Sequence, residues 1–326
     1  IGCMWYGIGN TGVQNPSTAR ITMDRNGNVT LFTGCADIGQ GSTTVLAQIA
    51  AEVLGLAPDS IRLVVADTQC TTNAGATSAS RQTYISGNAV KGAAEKLADV
   101  LLTEAVNKLK APKTSLQLDS GFVRVLDKPD KKIEFSWLAR RIREKGLPLT
   151  WNGFFDPDTV PLDPDTGQGL PYATYAFACQ LAMLSVDTLP GEVKVEKIVA
   201  AHDVGKALHP ENVKGQICGG VAMGMGFALM EEFVPGQTLS FKDYLIPTCA
   251  DMPEIIPIIV ESPEPSGPFG AKGVGEPALI PTAPAIINAL ADALGERIYQ
   301  LPANLERVLE TSIKAGHFGP KEVENV

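Results

Sequence analysis

No two of the six cysteines in this 326-residue chain stand near one another in sequence. They fall at Cys3, Cys35, Cys70, Cys179, Cys218 and Cys249, without the C-x-x-C spacing that zinc and iron–sulfur sites use. A chain this long does not depend on disulfides either, so the expectation is buried free thiols in a reducing cytoplasm. The three histidines, His202, His209 and His317, show no ligand spacing, and each is read as structural. Basic residues are outnumbered. The 27 Lys and Arg against 36 Asp and Glu give a net charge of −9, which argues against nucleic acid as a partner because phosphate binding needs a basic face. Long apolar runs are missing too. The longest tract, Ala278 to Leu294, is broken by Pro281, Pro284, Asn288 and Asp292 and is short for a spanning helix, so no membrane segment is expected. The opening Ile-Gly-Cys-Met-Trp-Tyr has no basic region and no cleavage-like site, and no signal peptide is read there. Charge of both signs is thin: 19% of residues are charged against about 25% in an average domain, which points either to area covered by a partner or simply to a chain rich in Gly and Pro.

What is present suffices for a large core, since 44% of residues are apolar, and the length suggests about two domains. Strand-like alternation on either side of Asn26-Gly27 marks a hairpin, and Pro190-Gly191 marks a second between 176–186 and 192–201. Another strand is expected at 61–66. Ser42-Thr43-Thr44 opens an apolar-periodic helix to Leu54, and further helices are expected at 86–109, 136–145, 211–231, 283–294 and 304–315. Strand pairs mixed with helices, without the regular alternation of a doubly wound sheet, indicate an α+β fold. The Asp-, Pro- and Gly-rich loop 152–169 is a boundary or an excursion; taken as a boundary, it divides the chain near 1–150 and 151–326.

Four segments carry candidate chemistry. Gly39-Gln40-Gly41 before a helix can cradle an anion on its backbone amides or can be an ordinary turn. Ala79-Ser80-Arg81-Gln82-Thr83, also before a helix, can hold a pyrophosphate with its hydroxyls, amide and Arg or can simply cap that helix. Gln216 stands near the start of a helix whose glycines, 219, 220, 224 and 226, allow close packing; Met223 and Met225 are read as core. In Gly267-Pro-Phe-Gly-Ala-Lys-Gly-Val-Gly-Glu276 the small residues let backbone approach something closely. Glu276 then sits on a constrained loop beside apolar residues, where burial would raise its pKa toward that of a general base; the plain alternative is a surface carboxylate at a turn.

In this order, Gly-Gln-Gly, Ser-Arg-Gln-Thr, Gly-Gln before a helix, and Gly-Val-Gly-Glu, the segments resemble the xanthine oxidase family of molybdenum hydroxylases. The resemblance covers nearly the whole chain and matches the C-terminal half of the family's molybdopterin-binding subunit. It implies that Gly39, Gln40, Gly41 and the loop from Ala79 through Ser80, Arg81 and Gln82 to Thr83 hold molybdopterin cytosine dinucleotide. It further implies that Gln216, Lys272 and Gly273 contact the pterin side and that Glu276 is the catalytic base. Molybdenum would be held by the pterin dithiolene, with a terminal sulfido or selenido ligand and no side chain of this chain as ligand. The family's first half, its iron–sulfur cysteines and its flavin region are absent. The resemblance therefore implies an obligate complex, with an interface above ~2,000 Å²: a larger molybdopterin subunit completing the cradle, an iron–sulfur subunit and an FAD subunit. The implied reaction is hydroxylation of an N-heteroaromatic substrate such as nicotinate, with water as oxygen donor; purine or aldehyde oxidation and a non-catalytic cofactor-binding role are the alternatives. Substrate-pocket positions fall on Tyr6, Asn10 and Thr11, where purine-oxidising relatives carry a Phe-Thr pair. The missing aromatic stacker argues against a purine.

Overall fold

The computed structural model describes residues 1–317; the end of the expected 151–326 segment, 318–326, lies outside the described residues. The fold is α+β, with three sheets and packed helices. The chain forms two compact units, each drawn from separate stretches of sequence. The first unit holds Gly7–Thr174 and Pro263–Gly273. The second holds Ile1–Tyr6, Tyr175–Ser262 and, of the described residues, 274–317. This differs from a cut at 150/151. Strand Thr150–Phe155 pairs with Ser17–Met23, so the loop 152–169 is an excursion of the first unit and not its boundary.

Strand β1 (Gly2–Gly7) opens the chain. In the first unit, β2 (Ser17–Met23) and β3 (Val29–Thr33) form the Asn-Gly hairpin, paired from Ala19↔Thr33 to Met23↔Val29. Asp24 closes its turn by accepting from the Asn26 and Asn28 amides. Helix α1 (Ser42–Leu54) crosses from β3 to the parallel β4 (Ile61–Val65). Helix α2 (Gly87–Leu109) follows a π-helical turn, Gln82–Ser86, and buries Val90, Ala94, Leu97 and Leu101. A three-stranded meander, β5 (Leu116–Asp119), β6 (Phe122–Val125) and β7 (Lys128–Glu134), leads into α3 (Phe135–Glu144) and then β8 (Thr150–Phe155). The sheet runs β4-β3-β2-β8, and its alternating side chains, Ala19, Ile21, Val29 and Leu31, are buried.

In the second unit, β9 (Tyr175–Asp187) and β10 (Glu192–Asp203) form the Pro-Gly hairpin. Helix α4 (Pro210–Leu229) then crosses to β11 (Glu254–Val260), parallel to β10. Helices α5 (Thr282–Leu294) and α6 (Leu305–Lys314) complete the layer, on a sheet ordered β1-β9-β10-β11. Ile198, Ile217, Val221, Ile286 and Leu290 are wholly buried in one cluster, each contributing about 1.5–3 kcal/mol. The stretch Glu276–Leu294 has the length and apolarity of a spanning helix, but Ile286, Leu290 and Leu294 of α5 lie in this core.

Two expectations need correction. The cysteines are neither uniformly buried nor scattered in space: Cys35 is buried, Cys3, Cys179 and Cys249 are exposed, and the Cys3 and Cys179 sulfurs lie 3.3 Å apart. Pairing of β1 with β9, remote in sequence, brings them together. Met223 is 61% exposed while Met225 is core, because they stand on different faces of α4.

Candidate active site

The Gly39-Gln40-Gly41 loop does not have the free amides that an anion cradle needs. Asp37 reaches back across it: Oδ1 accepts from the Gly39 amide at 2.9 Å and the Gly41 amide at 3.3 Å, and Oδ2 accepts from the Thr43 amide and hydroxyl. A carboxylate already occupies the N-terminus of α1, where both the dipole and the unpaired amides would otherwise favour a phosphate. Burial alone would raise the Asp37 pKa, but these hydrogen bonds outweigh it and hold the pKa below the usual value. Gln40 is fixed as well. Its Oε1 accepts from the Ile38 amide, and its Nε2 faces the Ala36 carbonyl, Ser42 Oγ and Gln82 Oε1 at 3.3, 3.0 and 2.9 Å. The loop is thus a strut carrying an oriented side-chain amide, with the Ile38, Gly39, Gly41 and Thr43 main-chain amides already taken.

Gln40 and Gln82 join two loops 42 residues apart in sequence. The second, 77–83, is buried in part: Arg81 and Gln82 are inside, and Ser80 and Thr83 half-buried. Ala79 and Ser80 both adopt left-handed backbone, φ 53° and 51°, a costly conformation for side-chain-bearing residues that persists only where the surroundings impose it. The Ala79 carbonyl accepts from the Gly9 amide, and Asn10 Oδ1 from Ser78 Oγ. Arg81, 1% exposed, gives its guanidinium to the carbonyls of Ala74, Ala76, Asn15 and Pro16. The expectation that Arg81 holds a pyrophosphate is therefore corrected. Its charge is consumed within the protein, clamping the loop to the chain before β2. The π turn at 82–86 leads out of this loop; such insertions recur at functional sites.

Against Ser80 lies Gly273. A Cβ on Gly273 would stand 1.8 Å from the Ser80 carbonyl oxygen, so only glycine allows these two stretches of backbone, 193 residues apart, to touch. Lys272 beside it is buried. Its charge acts on Glu264, whose pKa burial alone would raise but hydrogen bonds from Thr174 and Ser266, with Lys272, hold low. In the same unit Asn10 lines a cavity of about 290 Å³ with Gln14, Thr18, Asn73 and Arg81, whereas Thr11 is exposed and bonded to Tyr172.

Glu276 belongs to the second unit, three residues on from Gly273. It begins the 3-10 turn Glu276–Ala278 and is half-buried. Helix α4 packs against that turn through Gly220 and Gly224, where added Cβ atoms would stand 2.6 Å from Ala278 and 2.5 Å from Thr282. Gln216, half-buried, lies one turn before Gly220 on the same helix. Helix α4 starts at Pro210 with His209 as its cap, Nδ1 accepting from the Asn212 amide. Tyr6 is half-buried in β1. A cavity of this unit, about 500 Å³ beside Val193, Met225 and Met252, is lined by none of the predicted residues.

Gln180 was not foreseen. Wholly buried in β9, its Nε2 donates to His202 Nε2 and to the Ala278 carbonyl, and its Oε1 accepts from Thr282. Period-two alternation puts it on the inward face with Ala176, Ala178 and Ala182, and an amide among inward alanines is the signal that would have found it.

The opposite face of this sheet is bare and apolar. Trp5 is 73% exposed, Phe177 55% and Met183 50%, with Leu181, Ile256, Ile258 and Val260 beside them in the register. A patch of this kind on a sheet marks an interaction surface.

The donor set fits a flat, polar, hydrogen-bonding group. In the first unit, main-chain edges meet at Ser80 and Gly273, amide side chains stand at Gln40 and Gln82, and no three His, Cys, Asp or Glu cluster among the described residues. Comparison with known proteins agrees. Residues 1–253 match the molybdopterin cofactor-binding domain family. The chain is 31% identical over 304 residues to the nicotine 6-hydroxylase large subunit of Paenarthrobacter nicotinovorans, covering 90% of this chain and 36% of that protein. To the xanthine dehydrogenase molybdenum-binding subunit of Escherichia coli O157:H7 it is 30% identical over 306 residues, covering 91% and 39%. Quinoline 2-oxidoreductase from Pseudomonas putida 86 superposes with a TM-score of 0.83 at 28% identity, over 96% of this chain and 42% of that one. The chain spans less than half the length of each.

Proposed function

Because this chain belongs to the molybdopterin cofactor-binding domain family, we propose that it is one half of the cofactor cradle of a cytoplasmic molybdenum hydroxylase and that Glu276 is its catalytic base. The observation that carries this reading is the backbone contact of Gly273 with Ser80, followed within three residues by a half-buried carboxylate on a turn braced by α4. In such a site the bound molybdenum–pterin cofactor supplies the oxidising chemistry, and water supplies the oxygen. This chain binds, orients and moves a proton. Ser80, Gln82 and Thr83 would line the pterin cytosine dinucleotide with Gln40 bracing Gln82, Gln216 and Lys272 would donate to the pterin, and Glu276 would serve as the proton acceptor.

The bare face of β1, β9 and β11 supports a larger molybdopterin subunit as the covering partner, burying more than ~2,000 Å²; iron–sulfur and FAD subunits complete electron transfer. With relatives that act on ring-nitrogen compounds and Asn10-Thr11 in place of an aromatic pair, nicotinate or a similar N-heteroaromatic is the preferred substrate, as in the separate medium molybdopterin subunit of nicotinate dehydrogenase. Purines and aldehydes are the competitors. A cofactor carrier without chemistry would use the Gln40 and Ser80 loops but leave Glu276 without a task.

The test is purification of the chain with whatever accompanies it, molybdenum and CMP analysis, and rates on nicotinate, hypoxanthine and benzaldehyde. The reading expects molybdenum, CMP and a larger co-purifying subunit, with nicotinate fastest. A monomeric chain without molybdenum would end it.

A further inference from the structure

Behind the Glu276 turn lies a buried polar group that the proposed chemistry does not use. The turn is held by few bonds of its own: the Ala278 amide donates to the Gly275 carbonyl at 3.2 Å and the Leu279 amide to the Glu276 carbonyl at 3.1 Å. The next donation, from the Thr282 amide to the Leu279 carbonyl, leaves the Ala278 carbonyl to a side chain. That carbonyl is met by Gln180 Nε2 at 3.1 Å, and the Thr282 hydroxyl, at the first residue of α5, donates to Gln180 Oε1 at 2.7 Å. One amide therefore ties both ends of the segment 278–282 to the middle of β9.

The orientation of that amide is forced. A carbonyl oxygen can only accept, so the NH₂ end of Gln180 faces Ala278. Its second hydrogen points to His202 Nε2, 3.0 Å away, which must then be the acceptor, with the ring proton on Nδ1. An imidazolium would set a donor against a donor. Burial holds the His202 pKa down to about 4, so the ring is neutral and available as acceptor near neutrality. Gln180 and His202 are 0% and 1% exposed; water does not substitute for either.

We propose that Gln180 is a positioning residue for Glu276: by holding the Ala278 carbonyl and the Thr282 hydroxyl, it fixes the backbone from which the carboxylate projects, with His202 Nε2 accepting the amide's second hydrogen. This rests on the reading of Glu276 as base. A base must stand within hydrogen-bond reach of the proton it takes, and small displacements of such a group cost rate far more than affinity.

The experiment uses the assembled complex with nicotinate, or with whichever of nicotinate, hypoxanthine and benzaldehyde it turns over fastest. Gln180→Leu keeps the volume and removes the donors and acceptor. The expected result is a fall in kcat of about 10- to 100-fold, with KM and molybdenum content near wild type and faster hydrogen exchange at the Ala278, Leu279 and Thr282 amides. Wild-type kcat with unchanged exchange overturns the proposal, as does loss of molybdenum in parallel with kcat, which would make Gln180 a support of the whole cradle. If the Leu variant does not assemble, Thr282→Val removes one bond to the amide at constant shape. It should lower kcat by a smaller factor while leaving KM alone, and an unchanged kcat overturns the proposal. Glu276→Gln, run alongside, keeps the two claims apart: if it retains turnover, the base assignment fails, whereas exchange at 278–282 in Gln180→Leu still reports whether Gln180 holds the turn.

Discussion

Two glycine-rich loops of the first unit, alike in sequence, use glycine for opposite purposes. In Gly39-Gln40-Gly41 the glycines fold the chain back so that Asp37 can collect the Gly39, Gly41 and Thr43 amides, and the loop is closed on itself. In the stretch ending at Gly273 the missing side chain brings backbone onto the Ser80 carbonyl, and the loop is closed on another part of the protein. The first loop is a local cap carrying one oriented amide; the second is a joint. Damage to the cap should be mild and confined to α1, and damage to the joint should be severe and reach the cofactor.

The largest effect should come from the clamp that supports the joint. Arg81→Met strands the carbonyls of Ala74, Ala76, Asn15 and Pro16 in the interior and should cost about 4 kcal/mol, read as a drop in the denaturation midpoint. A loss below 1 kcal/mol would mean that the guanidinium is not what holds this loop.

A comparable effect is expected in the second unit, but only in acid. His202 is held neutral by burial, with a pKa of about 4 against ~6.5 in the unfolded chain. As pH falls from about 6.5 to 4, the unfolded state takes up a proton that the folded state refuses, so stability declines across that window, by about 3 kcal/mol at its lower end. Above 6.5 the effect vanishes. His202→Gln should remove this slope from a stability–pH curve, and an identical slope in the variant would contradict it.

Gly273→Ala should cost about 2–3 kcal/mol through displacement of backbone, with loss of bound molybdenum from the complex. Asp37→Ala should cost only about 1 kcal/mol, the ordinary worth of a helix-terminal acceptor, with molybdenum retained. Equal effects of these two substitutions would erase the distinction between cap and joint.

Much of the architecture was legible because local chemistry agrees with tertiary structure. Asn26-Gly27 and Pro190-Gly191 turn where they should, and Asn304 caps α6 through its side chain. What was hidden depends on pairings between distant residues. Nothing local announces that β1 pairs with β9 or that β10 and β11 are parallel across α4. The charged β7 in the meander 116–134 lacks alternation, since Ile133 is its one buried residue. At the site, the close backbone approach at Gly273 was legible in its run of small residues. The use of the Gly39 amides and of Arg81 was not, because Asp37 and four main-chain carbonyls compete for them in three dimensions. Gln180 was passed over because a single polar residue in an alternating strand reads as noise until its partners are known.

The central claim concerns one proton. In the assembled complex, Glu276→Gln preserves size and shape but cannot accept a proton, and turnover should fall by about 10²–10⁴ with molybdenum and CMP content unchanged. Turnover within a few-fold of wild type, with the cofactor in place, would contradict the account.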